Sequence, residues 1–288
     1  MNQASSDSKA LSAAPRAKSG RGEEVRIPSH QHGVPTASVL GCPIAKITLE
    51  GTLRKIEQFV RSRKPHQIVV VNAAKLVLMD KDPELRRIVT TADLVAADGV
   101  PVVWASRFLG DPLPGRVNGT DLMDRLIEEA PGRGYRIFFF GATEEVVRKA
   151  VQVAQERAPG LQVAGFRNGY FSAEQEPEIV RQIRESKADI LFVGFGTPRK
   201  EKWIRAHLKE LGVPVCHGVG GSFDVLAGKV RRAPRWMQRW GLEWFFRLLQ
   251  EPRRMWKRYL VTNTIFVLKV LAEKIRRLQE AKPRRNRG

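Results

Sequence analysis

Residues 190–201 read I-L-F-V-G-F-G-T-P-R-K-E. The first four residues are apolar with no polar residue at every second position, which is typical of a strand buried on both faces of a parallel sheet. A glycine-rich turn follows, and Thr197 and Pro198 then predict a capped helix start with proline at its first position. Arg199 and Lys200 add two cations, so we expect an anion to bind at this helix N-terminus.

The same alternation of apolar runs and amphipathic segments fills residues 37–228. Apolar runs rich in β-branched and aromatic residues predict strands at Ile68–Val71, Leu94–Ala97, Arg136–Phe140, Leu161–Ala164, Ile190–Val193 and Val213–Cys216. Segments such as Asp121–Ala130 and Glu144–Arg157 have helical periodicity, and Thr143 should cap the second. We therefore predict an α/β fold, a Rossmann-like parallel sheet with helices on both faces.

Ligands of such sheets bind beyond the carboxyl ends of the strands. The small or polar residues that follow the predicted strands there are Asn72, Asp98, Gly99, Gly141, Gly194, Gly196 and Gly220. Small residues let a ligand approach the backbone. None of the glycine clusters is a nucleotide fingerprint: Phe223 stands where Gly218-Val219-Gly220 would need its third glycine, and Gly228-Lys229 lacks P-loop spacing.

Asp98 is the candidate catalytic residue. It follows an apolar strand, so a partly desolvated carboxylate there could take a proton from an attacking hydroxyl. The same position also suits the N-cap of a helix starting near Pro101. The sequence leaves these two interpretations equal.

The C-terminal part is strongly basic and aromatic. From Arg231 onward there are 13 Arg and 4 Lys against 4 Glu, a net +13 of the +20 of the whole chain. Trp236, Trp240, Trp244 and Leu248 recur every four residues and predict one stripe of a helix. Together they predict a basic amphipathic helical appendage that binds an anionic membrane surface; a core-facing helix with a solvated basic back is the alternative.

Composition sets further bounds. Two cysteines and no C-x-x-C pair indicate a reducing cytosol, and the five histidines have no metal-ligand spacing, so we expect neither a metal nor a cofactor. Residues 1–36 predict a disordered tail rather than a signal peptide, followed by the Rossmann-like domain at 37–230, the appendage at 231–275 and a basic tail at 276–288. The apolar run Tyr259–Leu271 is too short and too polar to span a bilayer.

Ten short motifs, in order, resemble the WecG/TagA/CpsF glycosyltransferase family. They are V-N-A at 71–73, A-D-G at 97–99, R-V-N-G-T-D at 116–121, F-G at 140–141, G-Y-F at 169–171, V-G-F-G-T-P-R-K-E at 193–201, G-V-G-G-S-F-D at 218–224, R-A-P at 232–234, L-E-W at 242–244 and E-P-R-R at 251–254. Together they cover roughly residues 38–260.

The resemblance implies a metal-independent, inverting transfer from a UDP-sugar, with N-acetylmannosamine as the expected sugar, to a polyprenyl-diphosphate-linked sugar. Asp98 matches the general base, and Asn72 and Arg116 match residues near the sugar and the departing diphosphate. The Gly194 to Glu201 loop, with Gly196, Pro198 and Lys200, and the segment with Gly220 and Asp224 match nucleotide-binding parts. The implied acceptor and membrane contacts are Arg232, Arg235, Arg239, Arg247, Arg254, Trp236, Trp240 and Trp244.

Three positions depart from the family pattern. Lys200 stands where many members have Gln, which favours a more anionic ligand or another donor sugar. Val70 replaces a Thr, and Gly115 replaces an acid. The implied location is the inner face of the plasma membrane, and a homo-oligomer stays open.

Two other classes of protein compete with this interpretation. A nucleic-acid-binding protein would use arginines with interleaved aromatics, but the tryptophans have helical rather than strand spacing. A nucleotide-dependent oxidoreductase would need the glycine fingerprint and an acid after the second strand. We therefore expect no nucleic-acid partner.

Overall fold

A computed structural model describes residues 30–240, 242–250 and 252–280. Within these ranges it does not describe the side chains of His30, Arg235, Arg239, Arg247 and residues 252–260. Four predicted acceptor contacts, the side chains of Arg235, Arg239, Arg247 and Arg254, therefore lie outside the described residues.

Strands and helices alternate along most of the described chain. The strands are β1 His30–Gln31, β2 Val34–Val39, β3 Cys42–Ala45, β4 His66–Val71, β5 Leu94–Ala97, β6 Arg136–Gly141, β7 Gln162–Arg167, β8 Ile190–Gly194 and β9 Val215–Gly218. The α-helices are α1 Leu49–Ser62, α2 Ala73–Leu78, α3 Pro83–Thr90, α4 Val100–Phe108, α5 Gly119–Arg133, α6 Glu144–Arg157, α7 Glu176–Glu185, α8 Arg199–Leu211, α9 Ser222–Leu226, α10 Arg235–Arg239, α11 Glu243–Gln250 and α12 Pro252–Glu280.

The main sheet in the described ranges has six parallel strands in the order β5-β4-β9-β8-β6-β7. This confirms the predicted Rossmann-like sheet. The predicted strands at residues 161–164 and 213–216 each begin later, at Gln162 and Val215. Helix α6 has the predicted bounds because the Thr143 hydroxyl accepts a hydrogen bond from the Val146 N–H at 3.3 Å.

Alternate strand residues face opposite helical layers, as the period of a strand requires. Ile68 and Val70 of β4 pack into a core with α1, α5 and α6. Val69 and Val71 face the other side, where they pack with α2, α3 and α4. Both layers exclude water from the faces of the sheet. The polar side chains that contact a ligand therefore have to come from the residues that follow the strands.

A small antiparallel sheet, β1-β2-β3, precedes the main sheet. It begins at His30, earlier than the boundary at residue 37 expected from sequence. The Gln31 side chain helps to hold this early strand in place. Its amide donates to the Pro43 carbonyl at 3.2 Å, and its oxygen accepts from the Val95 N–H at 2.8 Å. These two bonds tie the first hairpin to β5.

The appendage begins with two short helices instead of one long one. Helix α10 ends at Arg239 and α11 begins at Glu243, so Trp236, Trp240 and Trp244 do not form the single helical stripe that their spacing predicts. Trp236 and Trp240 are 60% and 70% exposed.

The long helix α12 packs back onto the body. Phe266 and Val270 are buried in the core beside α2 and β2, and Glu273 accepts a hydrogen bond from the Leu40 N–H at 2.7 Å. The helix also continues to Glu280, into the stretch expected as a basic tail. The second half of α12 is therefore packed against the folded body. None of the helices in the described ranges has the length and hydropathy needed to cross a bilayer.

Candidate functional site

Asn72 and Asp98 meet at the carboxyl end of the sheet. Strands β4 and β5 pair with Val71 opposite Ala97, and the Asp98 N–H donates to the Val71 carbonyl at 2.8 Å. Asn72 caps α2 through its Oδ1, which accepts from the Lys75 N–H at 3.0 Å. Its remaining Nδ2 faces the Asp98 Oδ2 at 3.5 Å. Asn72 therefore positions both a helix and the candidate base.

Asp98 does not cap the helix that follows it. Helix α4 has Gly99 as its N-cap, without a side-chain hydrogen bond. The Asp98 Oδ1 instead accepts from the N–H of Gly119 at 2.9 Å, at the N-terminus of α5. A helix N-terminus stabilises the ionised carboxylate. Half-buried and held on one oxygen, Asp98 keeps its other oxygen in only a long contact, which an approaching hydroxyl can replace.

A buried charge cluster lies beside this pair. Lys75 of α2 and Lys200 of α8 both contact the Glu201 Oε1, at 2.7 and 2.9 Å, and all three side chains are less than a tenth exposed. Lys75 also donates to the Val70 carbonyl at 2.7 Å. The Glu201 Oε2 is buried and has no partner among the described residues. Sharing one carboxylate between two ammonium groups offsets part of the cost of burying them.

Burial and mutual attraction set the charges of this cluster. Burial, reinforced by Lys75, lowers the pKa of Lys200 to about 8. Burial alone would raise the Glu201 pKa, but the two lysines outweigh it and lower that pKa to about 2. Asp98 is close enough to raise the pKa of Lys200.

The predicted anion site at the start of α8 differs from its expected form. The N-cap is Pro198, with no side-chain cap. Thr197 lies one residue too early, and its hydroxyl contacts Lys200 and Glu201 instead. Arg199 lies over the rings of Phe171 and Phe195, at 4.9 and 4.6 Å from their centroids. Both cations are therefore held by protein partners.

Glycines allow the carboxyl ends of β6 and β8 to approach closely. Gly141 has φ of +131°, and a Cβ on it would lie 2.7 Å from the Gly194 nitrogen. Gly196 is exposed, with open space around its Cα, whereas Gly220 lies in the turn after β9 near the Lys200 ammonium group. Asp224 is half-buried in α9. The predicted glycines and Asp224 thus lie along one end of the sheet.

The appendage reaches this end of the sheet through two arginines. Arg116 pairs with Glu243 of α11 at 3.0 Å, and both side chains are mostly buried. Burial raises the pKa of Glu243, although Arg116 opposes that shift. Arg232 contacts Asp121 and lies 3.7 Å from Asp124, both on α5. Arg232 is thus engaged with the body, where sequence predicted a contact to acceptor or membrane.

Three residues of this site were not predicted from sequence. Lys75 is the single cation among residues 73–79 of an apolar segment, and that isolation was its signal. His217 is fully buried in β9, and burial lowers its pKa to about 4, so its imidazole is neutral at physiological pH. Glu243 had no local signal, because its partner Arg116 is distant in sequence.

Comparison with known proteins gives the family. The profile of the Glycosyl transferase WecG/TagA/CpsF family matches residues 37–280. An N-acetylglucosaminyldiphosphoundecaprenol N-acetyl-beta-D-mannosaminyltransferase of Bacillus spizizenii (strain ATCC 23059 / NRRL B-14472 / W23) is 36% identical over 180 residues, which cover 62% of this chain and 69% of that protein.

Two further relatives have the same name. The Staphylococcus aureus (strain MW2) protein is 33% identical over 254 residues, 85% of this chain and 95% of the relative. The Bacillus subtilis (strain 168) protein is 31% identical over 226 residues, which cover 78% of this chain and 87% of that protein. With its parallel sheet and its Asn72–Asp98 pair, the chain belongs to the WecG/TagA/CpsF family and is a glycosyltransferase.

Proposed function

We propose that this glycosyltransferase moves an N-acetylmannosamine-type sugar from a UDP-sugar to a sugar linked to a polyprenyl diphosphate, with inversion at the anomeric carbon. The relatives' names describe an N-acetyl-beta-D-mannosaminyltransferase that acts on N-acetylglucosaminyldiphosphoundecaprenol. The observation that carries the proposal is the Asp98 carboxylate at the sheet end, fixed by the Gly119 N–H and adjacent to Asn72.

Asp98 acts as the general base. The acceptor hydroxyl attacks the anomeric carbon, its proton passes to the Asp98 carboxylate, and the bond from that carbon to the diphosphate oxygen breaks. A single displacement of this kind inverts the anomeric configuration. The Gly119 N–H keeps the carboxylate in place, and the Asn72 amide, 3.5 Å from its other oxygen, orients the sugar.

The departing diphosphate is stabilised by cations at the same end of the sheet. Arg116 precedes Val117, whose N–H donates to the Ala97 carbonyl, and its guanidinium can exchange the Glu243 carboxylate for diphosphate oxygens because both are anionic acceptors. The nucleotide lies along Gly141, Gly194, Gly196 and Pro198, and the open space at Gly196 permits its close approach. Lys200, Glu201, Gly220 and Asp224 form the adjoining wall.

We propose that the transfer needs no metal ion. Three of the carboxylates around the sheet end have protein donors: Asp98 has the Gly119 N–H, Glu201 has two lysines, and Glu243 has Arg116. A divalent cation that took the engaged oxygen of any of these three would displace its protein partner. Fixed guanidinium and N–H groups supply the charge stabilisation in its place.

The appendage brings the enzyme to its lipid-linked acceptor. Trp236 and Trp240 are exposed large aromatics in a segment rich in arginine, a combination that suits a layer of anionic headgroups. Because Glu243 of the same segment touches Arg116, this surface lies next to the reaction centre. The enzyme thus works at the inner face of the plasma membrane.

A screen of UDP-sugars tests the proposal. Each donor is incubated with a short prenyl-diphosphate-sugar acceptor, with and without EDTA, and the product linkage is assigned by NMR. We expect transfer from the N-acetylmannosamine donor, an inverted linkage and the same rate in EDTA. A retained linkage, or activity lost in EDTA and restored by Mg²⁺, contradicts the mechanism. Transfer from an anionic sugar instead would point to Lys200 as the residue that selects the donor.

A further inference from the structure

Two histidines and an aspartate meet at the opposite, amino-terminal end of the sheet. They are His32 in the β1–β2 turn, His66 at the start of β4 and Asp93 just before β5, and one ligand atom of each lies within 4.8 Å of the others. His32 Nε2 and Asp93 Oδ1 are 3.0 Å apart. Two imidazoles and one carboxylate make a donor set that suits zinc and its neighbours among the transition metals.

Two of the three residues, His66 and Asp93, are oriented by a second partner. The His66 Nδ1 lies 3.2 Å from the Pro214 carbonyl, which can only accept, so the proton is on Nδ1 and Nε2 keeps the lone pair that a metal needs. The Asp93 Oδ2 accepts from the Gln67 N–H at 2.8 Å, which leaves Oδ1 for a metal. Metal ligands in proteins are usually supported by partners of this kind.

Ring packing also favours the site. The His66 ring stacks on Phe59 with centroids 3.9 Å apart, and His32 contacts the edges of both rings. The Arg205 guanidinium donates to the Thr91 carbonyl at 2.8 Å and also contacts the Thr91 hydroxyl. The imidazoles are therefore held in place before any ion binds.

We propose that His32, His66 and Asp93 bind a divalent transition metal of the zinc class, with water at the fourth position. Spacing could not reveal this site, because its ligands come from three separate segments. The metal would join the first hairpin to β4 and β5 at the end of the sheet away from Asp98. Its role is to stabilise the fold, and it is independent of the proposed transfer reaction.

The test uses untagged full-length protein stripped with EDTA and dialysed against ZnCl₂. We expect one zinc per chain and a rise in the melting temperature. Co²⁺ in its place should give visible absorption bands of a low-coordinate site. His32→Asn removes the ligand but tolerates the left-handed backbone at this position, where φ is +47°. It should weaken zinc binding by at least about tenfold.

His207→Asn is the matched control. His207 also contacts a carboxylate, that of Glu176 at 3.2 Å, but has no second histidine in the group. The His207→Asn variant should bind zinc with the same affinity as the wild type. His66→Gln provides a second ligand variant if His32→Asn fails to fold. A wild-type protein that retains no zinc, or a folded ligand variant with unchanged affinity, overturns the proposal.

Discussion

The carboxyl end of the sheet and the start of the appendage differ in what they bury: the sheet end buries charged side chains, whereas the appendage exposes aromatic ones. At the sheet end, Lys75, Lys200 and Glu201 are buried, and both lysines pair with the Glu201 Oε1. In the appendage, Trp236 and Trp240 are more than half exposed. Buried, mutually fixed charges are what a reaction centre needs, because they cost no reorganisation during the reaction. Exposed aromatics instead fit a large external partner.

The largest expected effect is on the sheet end. Asp98→Asn keeps the hydrogen-bonding size of the side chain but cannot accept the proton, so turnover should fall by about 10² to 10⁴. The melting temperature should stay unchanged. Asp82→Asn is the matched control, because Asp82 likewise accepts from a helix N–H, that of Leu85 at 2.9 Å, away from the site. Near-normal turnover of Asp98→Asn would show that Asp98 is not the general base.

Arg116 tests the junction of the two regions. Arg116→Gln should lower turnover by about 10² to 10³, the usual cost of losing one transition-state donor. Glu243→Gln breaks the same 3.0 Å ion pair but keeps the cation, so its turnover should stay within a few-fold of wild type. Steady-state transfer kinetics measure both. Equal losses in the two variants would mean that the ion pair is only structural.

Glu201→Gln tests whether the buried cluster supports the fold. It leaves two buried lysines without their counterion, so we expect a loss of about 3–5 kcal/mol in the free energy of unfolding. Glu84→Gln, which removes a surface partner of Lys202, should cost no more than about 1 kcal/mol. Urea unfolding at neutral pH compares them. A loss for Glu201→Gln as small as that control would contradict the role of the cluster.

Acid should reduce the difference in unfolding free energy between wild type and Glu201→Gln. The Glu201 pKa is lowered from 4.5 to about 2 in the folded protein, so its stabilising contribution is complete above the unfolded value and declines as pH falls toward the folded one. The gap in unfolding free energy between wild type and Glu201→Gln should therefore shrink between about pH 5 and about pH 3. A gap that does not change over this range would show that the charge of Glu201 is not what stabilises the fold.

The smallest expected effect is on the appendage surface. Trp236→Ser with Trp240→Ser should reduce flotation with anionic liposomes several-fold while changing stability by no more than about 0.5 kcal/mol, because both rings are exposed. Trp104→Ser is the control, an equally exposed ring on α4. Unchanged flotation of the double variant, or equal losses in the control, would argue against membrane binding by this segment.

Sequence predicted the main sheet well because its strands have a strong local signal. Apolar runs such as Leu94–Ala97 are read directly, and the residues that follow them necessarily share one end of a parallel sheet. That rule predicted that Asn72 and Asp98 lie close together. It could not decide whether Asp98 is a base or an N-cap, because that depended on the distant N–H of Gly119.

Contacts between distant segments could not be read in the same way. The helical spacing of the tryptophans was real, but the break between α10 and α11 ended the helix. The attachment of α12 depended on Phe266 and Val270 finding a groove beside α2. Local periodicity tells which face of a helix is apolar, but not what that face covers.

The bond between the Leu40 N–H and Glu273 has a consequence for synthesis. Its two residues are 233 positions apart, and Arg277 also donates to the Ser38 carbonyl. At ribosomal rates of about 5–20 residues per second, strand β2 leaves the ribosome roughly 10–50 seconds before its helical partner. During that interval its apolar residues have no cover from α12. These contacts of β2 with α12 therefore form only after nearly the whole chain has been synthesised.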